Sequence, residues 1–219
     1  MFSLRENYYQ TLDKIHKAAA RSGRDPASIK LIAVTKTVPP ERIREAVECG
    51  VRDIGENRLQ EAIPKREALR DLPLTWHFIG HLQTNKARKA VESFDWIQCA
   101  DRRELAAKLN QSASNPLPVL IEVKLHEEPS KSGVPEADLP ALVEQFTSYE
   151  RLDLRGLMAI PPFFDNSEDV RPYFRKLREL AARFHLPELS MGMSHDFEVA
   201  IEEGATMVRI GSALFGDRR

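Results

Sequence analysis

Lysine is the side chain that condenses with an aldehyde, and Lys36 stands where that chemistry is feasible. It closes the apolar run LIAVTK. Its amine is expected at the rim of an apolar interior, where desolvation lowers a lysine pKa and frees the neutral amine for imine formation. The position also suits a lysine that reaches from a strand end into solvent, and the residues alone leave both readings open. Lys124 ends a run that also carries Glu122, so an ion pair is the simpler expectation there. Two glycine-serine turns, SMGMS (190–194) and IGS (210–212), could present backbone N–H groups to a phosphate. Ser194 and Ser212 could instead cap the short helices that follow them. Arg209 interrupts the apolar run MVRIG. A buried guanidinium needs partners. Asp196 or Glu198 could supply one; so could the ring nitrogen of a bound cofactor, which a permanently charged arginine would keep unprotonated.

Other combinations carry less. Ser194, His195 and Asp196 include the residue types of a hydrolase triad, but adjacent residues point apart and no nucleophile elbow surrounds them. His77 and His81 straddle a strand end and have no evident third metal ligand. Lys86, Arg88 and Lys89 read as a solvated helix face, and Phe163 and Phe164 as packing or a loop anchor.

The elements that must position these residues alternate. Strand-like runs fall at 31–35, 51–55, 75–80, 96–99, 119–125, 154–160, 189–193 and 207–211. Amphipathic stretches lie between them, at 58–70, 84–93, 102–113, 136–148, 168–185 and 195–203. Pro39 and Pro40 open a further helix that Gly50 closes, and one more fills 4–22 and stops at Gly23. Alternation of this kind demands parallel strands joined by right-handed crossovers. Eight strands predict a single (β/α)8 TIM-type barrel over 1–219, with an extra N-terminal helix; periodicity alone also admits a doubly wound open sheet. In such a barrel the functional face lies at the C-terminal strand ends. Those ends carry Lys36, Glu56, Asn57, His77, His81, Lys124, Met158, Ser194, Arg209, Gly211 and Ser212. The stretch HEEPSKSGVP (126–135) reads as an exposed excursion.

Composition narrows the class. Among 219 residues, 32 basic side chains face 33 acidic ones, so no basic excess draws the chain to nucleic acid. Hydrophobic residues make up 42%, enough for a large core and against disorder. No apolar run approaches the ~20 residues that span a bilayer. The polar, amphipathic start is not expected to be a signal peptide. Cys49 and Cys99 exclude a disulfide scaffold and suggest a reduced, cytoplasmic setting.

The segments AVTK around Lys36, GENRLQE (55–61), WHFIGHLQTNK (76–86), SKSG (130–133), LRGLMAI (154–160) and SMGMSHDFEVAIEEGATMVRIGSALFG (190–216) resemble the pyridoxal phosphate homeostasis protein family, the YggS-like or PROSC-like group. The resemblance runs from about residue 5 to 217. It implies a barrel related to the N-terminal domain of alanine racemase. It implies pyridoxal 5′-phosphate (PLP) held as an imine on Lys36, with its phosphate near Ser194, Gly211 and Ser212 and Arg209 facing the pyridine nitrogen. Asn57, His77, Met158 and Ser190 match motif positions that line the pocket. The family is associated with vitamin B6 homeostasis and amino- and keto-acid balance, without established turnover. Arg58 and His195 depart from the residues usual at their positions.

Three functions are therefore weighed: a non-catalytic PLP carrier or regulator, monomeric and exchanging cofactor with PLP-dependent apoenzymes; a small PLP-dependent racemase or lyase; and a barrel for another phosphorylated metabolite. Racemases of this fold need a second acid/base, usually a tyrosine from a partner domain. The sequence is expected to end with its eighth unit, and Tyr8, Tyr9, Tyr149 and Tyr173 fall in predicted helices rather than at strand ends.

Overall fold

The computed structural model describes residues 3–126 and 132–216. Nine strands are present among the described residues: β1 (Lys30–Val34), β2 (Asp53–Glu56), β3 (Thr75–Phe78), β4 (Trp96–Ala100), β5 (Leu117–Lys124), β6 (Val134–Pro135), β7 (Leu152–Met158), β8 (Glu188–Met193) and β9 (Met207–Ile210). Every pairing is parallel. The sheet runs β4-β3-β2-β1-β9-β8-β7-β5, and β4 also pairs with β5. That last pairing closes the ring and excludes the open sheet. The eight barrel strands coincide with the eight expected runs, while β6 adds two residues beside the C-terminal end of β5.

Among the described residues nine α-helices cover the barrel: α1 (Leu4–Arg21), α2 (Pro40–Cys49), α3 (Leu59–Ala68), α4 (Ala87–Ser93), α5 (Arg103–Ser112), α6 (Leu139–Thr147), α7 (Arg171–Arg183), α8 (Phe197–Glu202) and α9 (Ser212–Phe215). Because they cover the outer face, strand residues such as Ile32, Ala33, Ile97, Leu120 and Ile121 are buried whichever way they point. This is why the strands read as continuous apolar runs rather than alternating ones. Three expected helices are divided, with 3-10 turns at Thr84–Lys86, Glu136–Asp138 and Ser167–Val170 preceding α4, α6 and α7. In the last two, Pro140 and Pro172 sit in the first helical turn, where a missing N–H breaks no ladder.

Helix ends follow local chemistry. Ser3 and Glu6 form a capping box at α1. Pro40 opens α2 and Gly50 ends it at φ 122°. A Cβ on Gly50 would lie 2.7 Å from the Tyr8 hydroxyl, so the α1–α2 contact also needs glycine there. Tyr149 falls just beyond α6 rather than inside it. Cys49 and Cys99 are free thiols. No described helix is long and apolar enough to cross a membrane. Of the expected excursion, residues 127–131 lie outside the described residues.

Among the described glycines, the closest approach to neighbouring backbone joins β7 and β8. A Cβ on Gly156 would lie 1.9 Å from the Glu188 carbonyl oxygen. Gly156→Ala is expected to destabilise the barrel by roughly 1–3 kcal/mol, since the obstruction is backbone and cannot swing aside. Urea titration measures this; an unchanged midpoint would contradict the tight β7–β8 approach.

Candidate functional site

A cavity of about 600 Å³ opens at the C-terminal end of the barrel. Its wall comprises Val34, Lys36, Asn57, Ile79, Ile160, Met193, Ser194, His195, Arg209, Gly211 and Ser212. The closed ring brings these strand ends together from across the sequence. Six predicted site residues therefore meet: Lys36, Asn57, Ser194, Arg209, Gly211 and Ser212. A second cavity of about 270 Å³ shares Lys36, Gly211 and Ser212 and extends towards Arg42 and Phe215.

Lys36 is half-buried and, among the described residues, pairs with no carboxylate. Its neighbours are held on both sides. The Thr35 hydroxyl donates to Glu56 Oε1 at 2.7 Å, and Lys65 donates to the same oxygen and to the Thr35 carbonyl, each at 2.6 Å. Glu56 is fully buried. On the other side Thr37 adopts φ 63°, a left-handed conformation strained for a β-branched residue, and its N–H donates to Glu61 at 3.3 Å. An ion pair from α3 and a strained turn thus fix the backbone that carries Lys36.

The two turns act as one unit. Ser194 Oγ accepts from the N–H groups of Gly211 and Ala213, at 3.1 and 3.3 Å. It does not cap α8, whose N-cap is Asp196, and Ser212 is the first residue of α9 rather than its cap. Both capping expectations are corrected: Ser194 Oγ is taken by N–H groups that follow β9, and Gly211 occupies the N-cap of α9. Gly192, at φ 89°, makes the SMGMS turn possible, since a Cβ there would sit 2.5 Å from Ala200 Cβ. Asn57 Oδ1, in the same wall, is buried and without a partner among the described residues. A Cβ on Gly80 would come within 2.4 Å of the Asn57 carbonyl oxygen, so Gly80 lets the β2 and β3 ends approach. A cavity whose wall carries Lys36 and an amide oxygen, both without a partner among the described residues, and a serine hydroxyl anchored by two backbone N–H groups suits an anionic ligand bearing an aldehyde.

Arg209 is buried and reaches neither Asp196 nor Glu198. Its Nη1 donates to Ser190 Oγ at 2.7 Å and its Nη2 to the Ala159 carbonyl at 2.9 Å. Asp196 instead accepts from Met193 N–H at 2.7 Å, and Glu198 pairs with Lys14 and Arg21. Burial lowers the Arg209 pKa to about 10, so it stays a cation at neutral pH. Among the described residues no carboxylate lies in ion-pair contact with it.

Three predicted pocket residues stand one layer deeper. Ser190, Met158 and His77 are fully buried and absent from the cavity wall. His77 is the third residue of β3, and Ile79, two positions on, is the one that reaches the cavity. His77 Nε2 faces Asp53 Oδ1 at 2.9 Å, and its Nδ1 faces Gln98 Nε2 at 2.9 Å. The Lys124–Glu122 ion pair does not form among the described residues; Glu122 accepts from Ser132 at 2.8 Å, and burial raises its pKa. Arg58 is the exposed N-cap of α3 and pairs with Glu61 at 3.2 Å. His195 lies in the cavity wall beside Phe163, their ring centroids 5.1 Å apart. Sequence reasoning missed Ile79, Ile160, Gly80, Gln98 and Asp53.

The family profile described as alanine racemase, N-terminal domain, matches residues 11–219. The chain is 50% identical to the pyridoxal phosphate homeostasis protein of Aquifex aeolicus, covering 98% of each chain. It is 47% identical to the protein of the same name from Pseudomonas aeruginosa, covering 100% of this chain and 97% of that one. The structure of PipY from Synechococcus elongatus with PLP bound superposes with a TM-score of 0.83 at 42% identity, covering 93% of this chain and 100% of that one. The fold and its profile define a barrel of the alanine racemase N-terminal class. Within that class, the chain belongs to the pyridoxal phosphate homeostasis protein family.

Two outcomes follow from this geometry. Lys65→Met leaves Glu56 buried without its cation and is expected to destabilise the protein by about 3–5 kcal/mol; a denaturation midpoint within error of wild type would contradict the buried pair. Burial holds the His77 pKa below the ordinary histidine value, against the opposing pull of Asp53. Below about pH 6.5 the unfolded chain binds a proton that the folded chain resists, so stability falls as pH drops from that value. Chemical denaturation across pH, with His77→Leu beside wild type, should show that slope reduced in the variant.

Proposed function

We propose that this protein binds PLP at the C-terminal face of the barrel and acts in vitamin B6 homeostasis as a cofactor carrier, not as an amino-acid racemase. One observation carries the reading: Lys36, unpaired among the described residues, shares the wall of one cavity with the Ser194 hydroxyl and the Gly211–Ser212 turn. Its volume lies in the roughly 300–1,000 Å³ range of small-molecule sites. PLP supplies an aldehyde that condenses with an amine, forming a carbon–nitrogen bond and releasing water.

Each residue then has a separate task. Lys36 provides the amine, on a backbone held by Thr35, Glu56 and Lys65. The Ser194 hydroxyl, fixed by the N–H groups of Gly211 and Ala213, and the Gly211–Ser212 turn hold the phosphate. Arg209 donates to the pyridine nitrogen. Asn57 Oδ1, buried without a partner, accepts from a polar ring substituent. Val34, Ile79 and Ile160 exclude water from the ring faces.

The carrier reading has its own support. None of Tyr8, Tyr9, Tyr149 or Tyr173 lies in the cavity wall, so no phenol stands ready as a second acid/base. A cation at the pyridine nitrogen makes the ring a weaker electron sink than a carboxylate partner would. We place the protein in the cytoplasm as a monomer that passes PLP to apoenzymes.

Purified protein mixed with PLP is expected to show a visible band absent from Lys36→Ala. Borohydride reduction should leave a mass adduct on the peptide containing Lys36. Ser194→Ala is expected to weaken PLP binding about tenfold, a loss of roughly 1.4 kcal/mol. No adduct in wild type would overturn the PLP reading, and turnover of any amino acid in a broad panel would overturn the carrier reading.

A further inference from the structure

Arg209 begins a chain of hydrogen bonds that crosses the barrel interior. Arg209 donates to Ser190 Oγ at 2.7 Å, Ser190 donates to Gln98 Oε1 at 2.7 Å, Gln98 Nε2 meets His77 Nδ1 at 2.9 Å, and His77 Nε2 meets Asp53 Oδ1 at 2.9 Å. Ser190, Gln98 and His77 have no solvent exposure. The chain runs from the cavity at the C-terminal face to the opposite rim, where Lys30 pairs with Asp53 at 3.5 Å and lies over the Trp96 ring.

Its direction is forced. Arginine only donates, so Ser190 must accept there and spend its one proton on Gln98. That fixes the Gln98 carbonyl towards Ser190 and its amide N–H towards His77. His77 Nδ1 therefore accepts, and the ring proton sits on Nε2, facing a carboxylate that only accepts. The second Gln98 amide proton faces Met207 Sδ at 3.5 Å, and no link can reverse alone. His77 also stacks on Trp96, with ring centroids 5.7 Å apart, so it cannot rotate freely.

We propose that His77 and Gln98 are positioning residues for Arg209, and that Asp53 anchors the chain from the far end of the barrel. A carboxylate in direct contact would occupy the guanidinium fork. A chain of neutral groups ending on Asp53 orients Ser190 towards Arg209 and polarises each bond in turn, while leaving the fork's other donors for the cavity. The role towards PLP rests on the function proposed above; the hold on Arg209 does not.

Nitrogen-15 NMR of the protein without PLP tests that hold. His77 should show a single neutral form protonated on Nε2, and the Arg209 guanidinium resonances should shift in Gln98→Leu and, less, in Asp53→Asn. Asp53→Asn keeps the shape at the half-buried end and serves as the milder variant. A His77 protonated on Nδ1, or Arg209 resonances unmoved in both folded variants, would overturn the proposal. With 15N-labelled PLP added, the pyridine nitrogen resonance should move in Gln98→Leu and binding should weaken roughly three- to tenfold. An unchanged pyridine resonance in folded, PLP-loaded Gln98→Leu would overturn the link to the cofactor. Failure of wild type to bind PLP would count against the proposed function, and the Arg209 resonances would still decide this one.

Discussion

A guanidinium stripped of water inside a barrel is expensive, and much of this site is arranged around one. Arg209 keeps its charge although burial lowers its pKa to about 10. It does so on two neutral oxygens, from Ser190 and the Ala159 carbonyl. Glu122 and Asp196 act on it only through space. Such an arrangement holds a cation less tightly than an ion pair would. It also leaves that cation with unsatisfied capacity pointed at a cavity.

The barrel separates tasks by height. At the rim, residues at strand ends and just beyond them form the cavity wall: Lys36, Asn57, Ile79, Ser194 and Gly211. One layer down, Ser190, Gln98 and His77 hold Arg209 in place. At the lower rim, Asp53 and Lys30 close the chain on a partly solvated ion pair. Strand periodicity makes this possible, because inward positions two apart stand one layer apart. Around Lys36 the fixing comes from outside the barrel, through Lys65 on α3 and the turn at Thr37.

The architecture was legible because strands buried on both faces read as continuous apolar runs, and eight of them alternated with amphipathic segments. Lys36, Gly211 and Ser212 were legible because they end such runs. The partners of Arg209 were not. Asp196 and Glu198 are near in sequence, but Asp196 is taken by the Met193 N–H and Glu198 faces Arg21 on α1. The actual support comes through Gln98, whose partners lie 21 and 92 residues away. A lone glutamine inside the apolar run WIQCA was the available signal, since an amide buried there must be satisfied. Six pocket residues converge, while His77, Met158 and Ser190 sit below the cavity. Matching a motif places a residue on a strand, but only register tells which layer it reaches.

The same division bears on why such a site would suit a cofactor that must also leave. A carbon–nitrogen bond formed with release of water is reversed by water, so retention depends on how well the cavity excludes it. Here Val34, Ile79 and Ile160 line the cavity and would exclude water, yet Met193 in the same wall is 37% exposed and the nearby Phe163 is 73% exposed. Phe163 lies against His195, which itself lines the cavity. The buried pair Glu56–Lys65 and the interior chain fix the site from below, while its upper side carries the exposed Met193 and Phe163. An enzyme handling carbanions needs both sides rigid and dry; a carrier needs only the lower one.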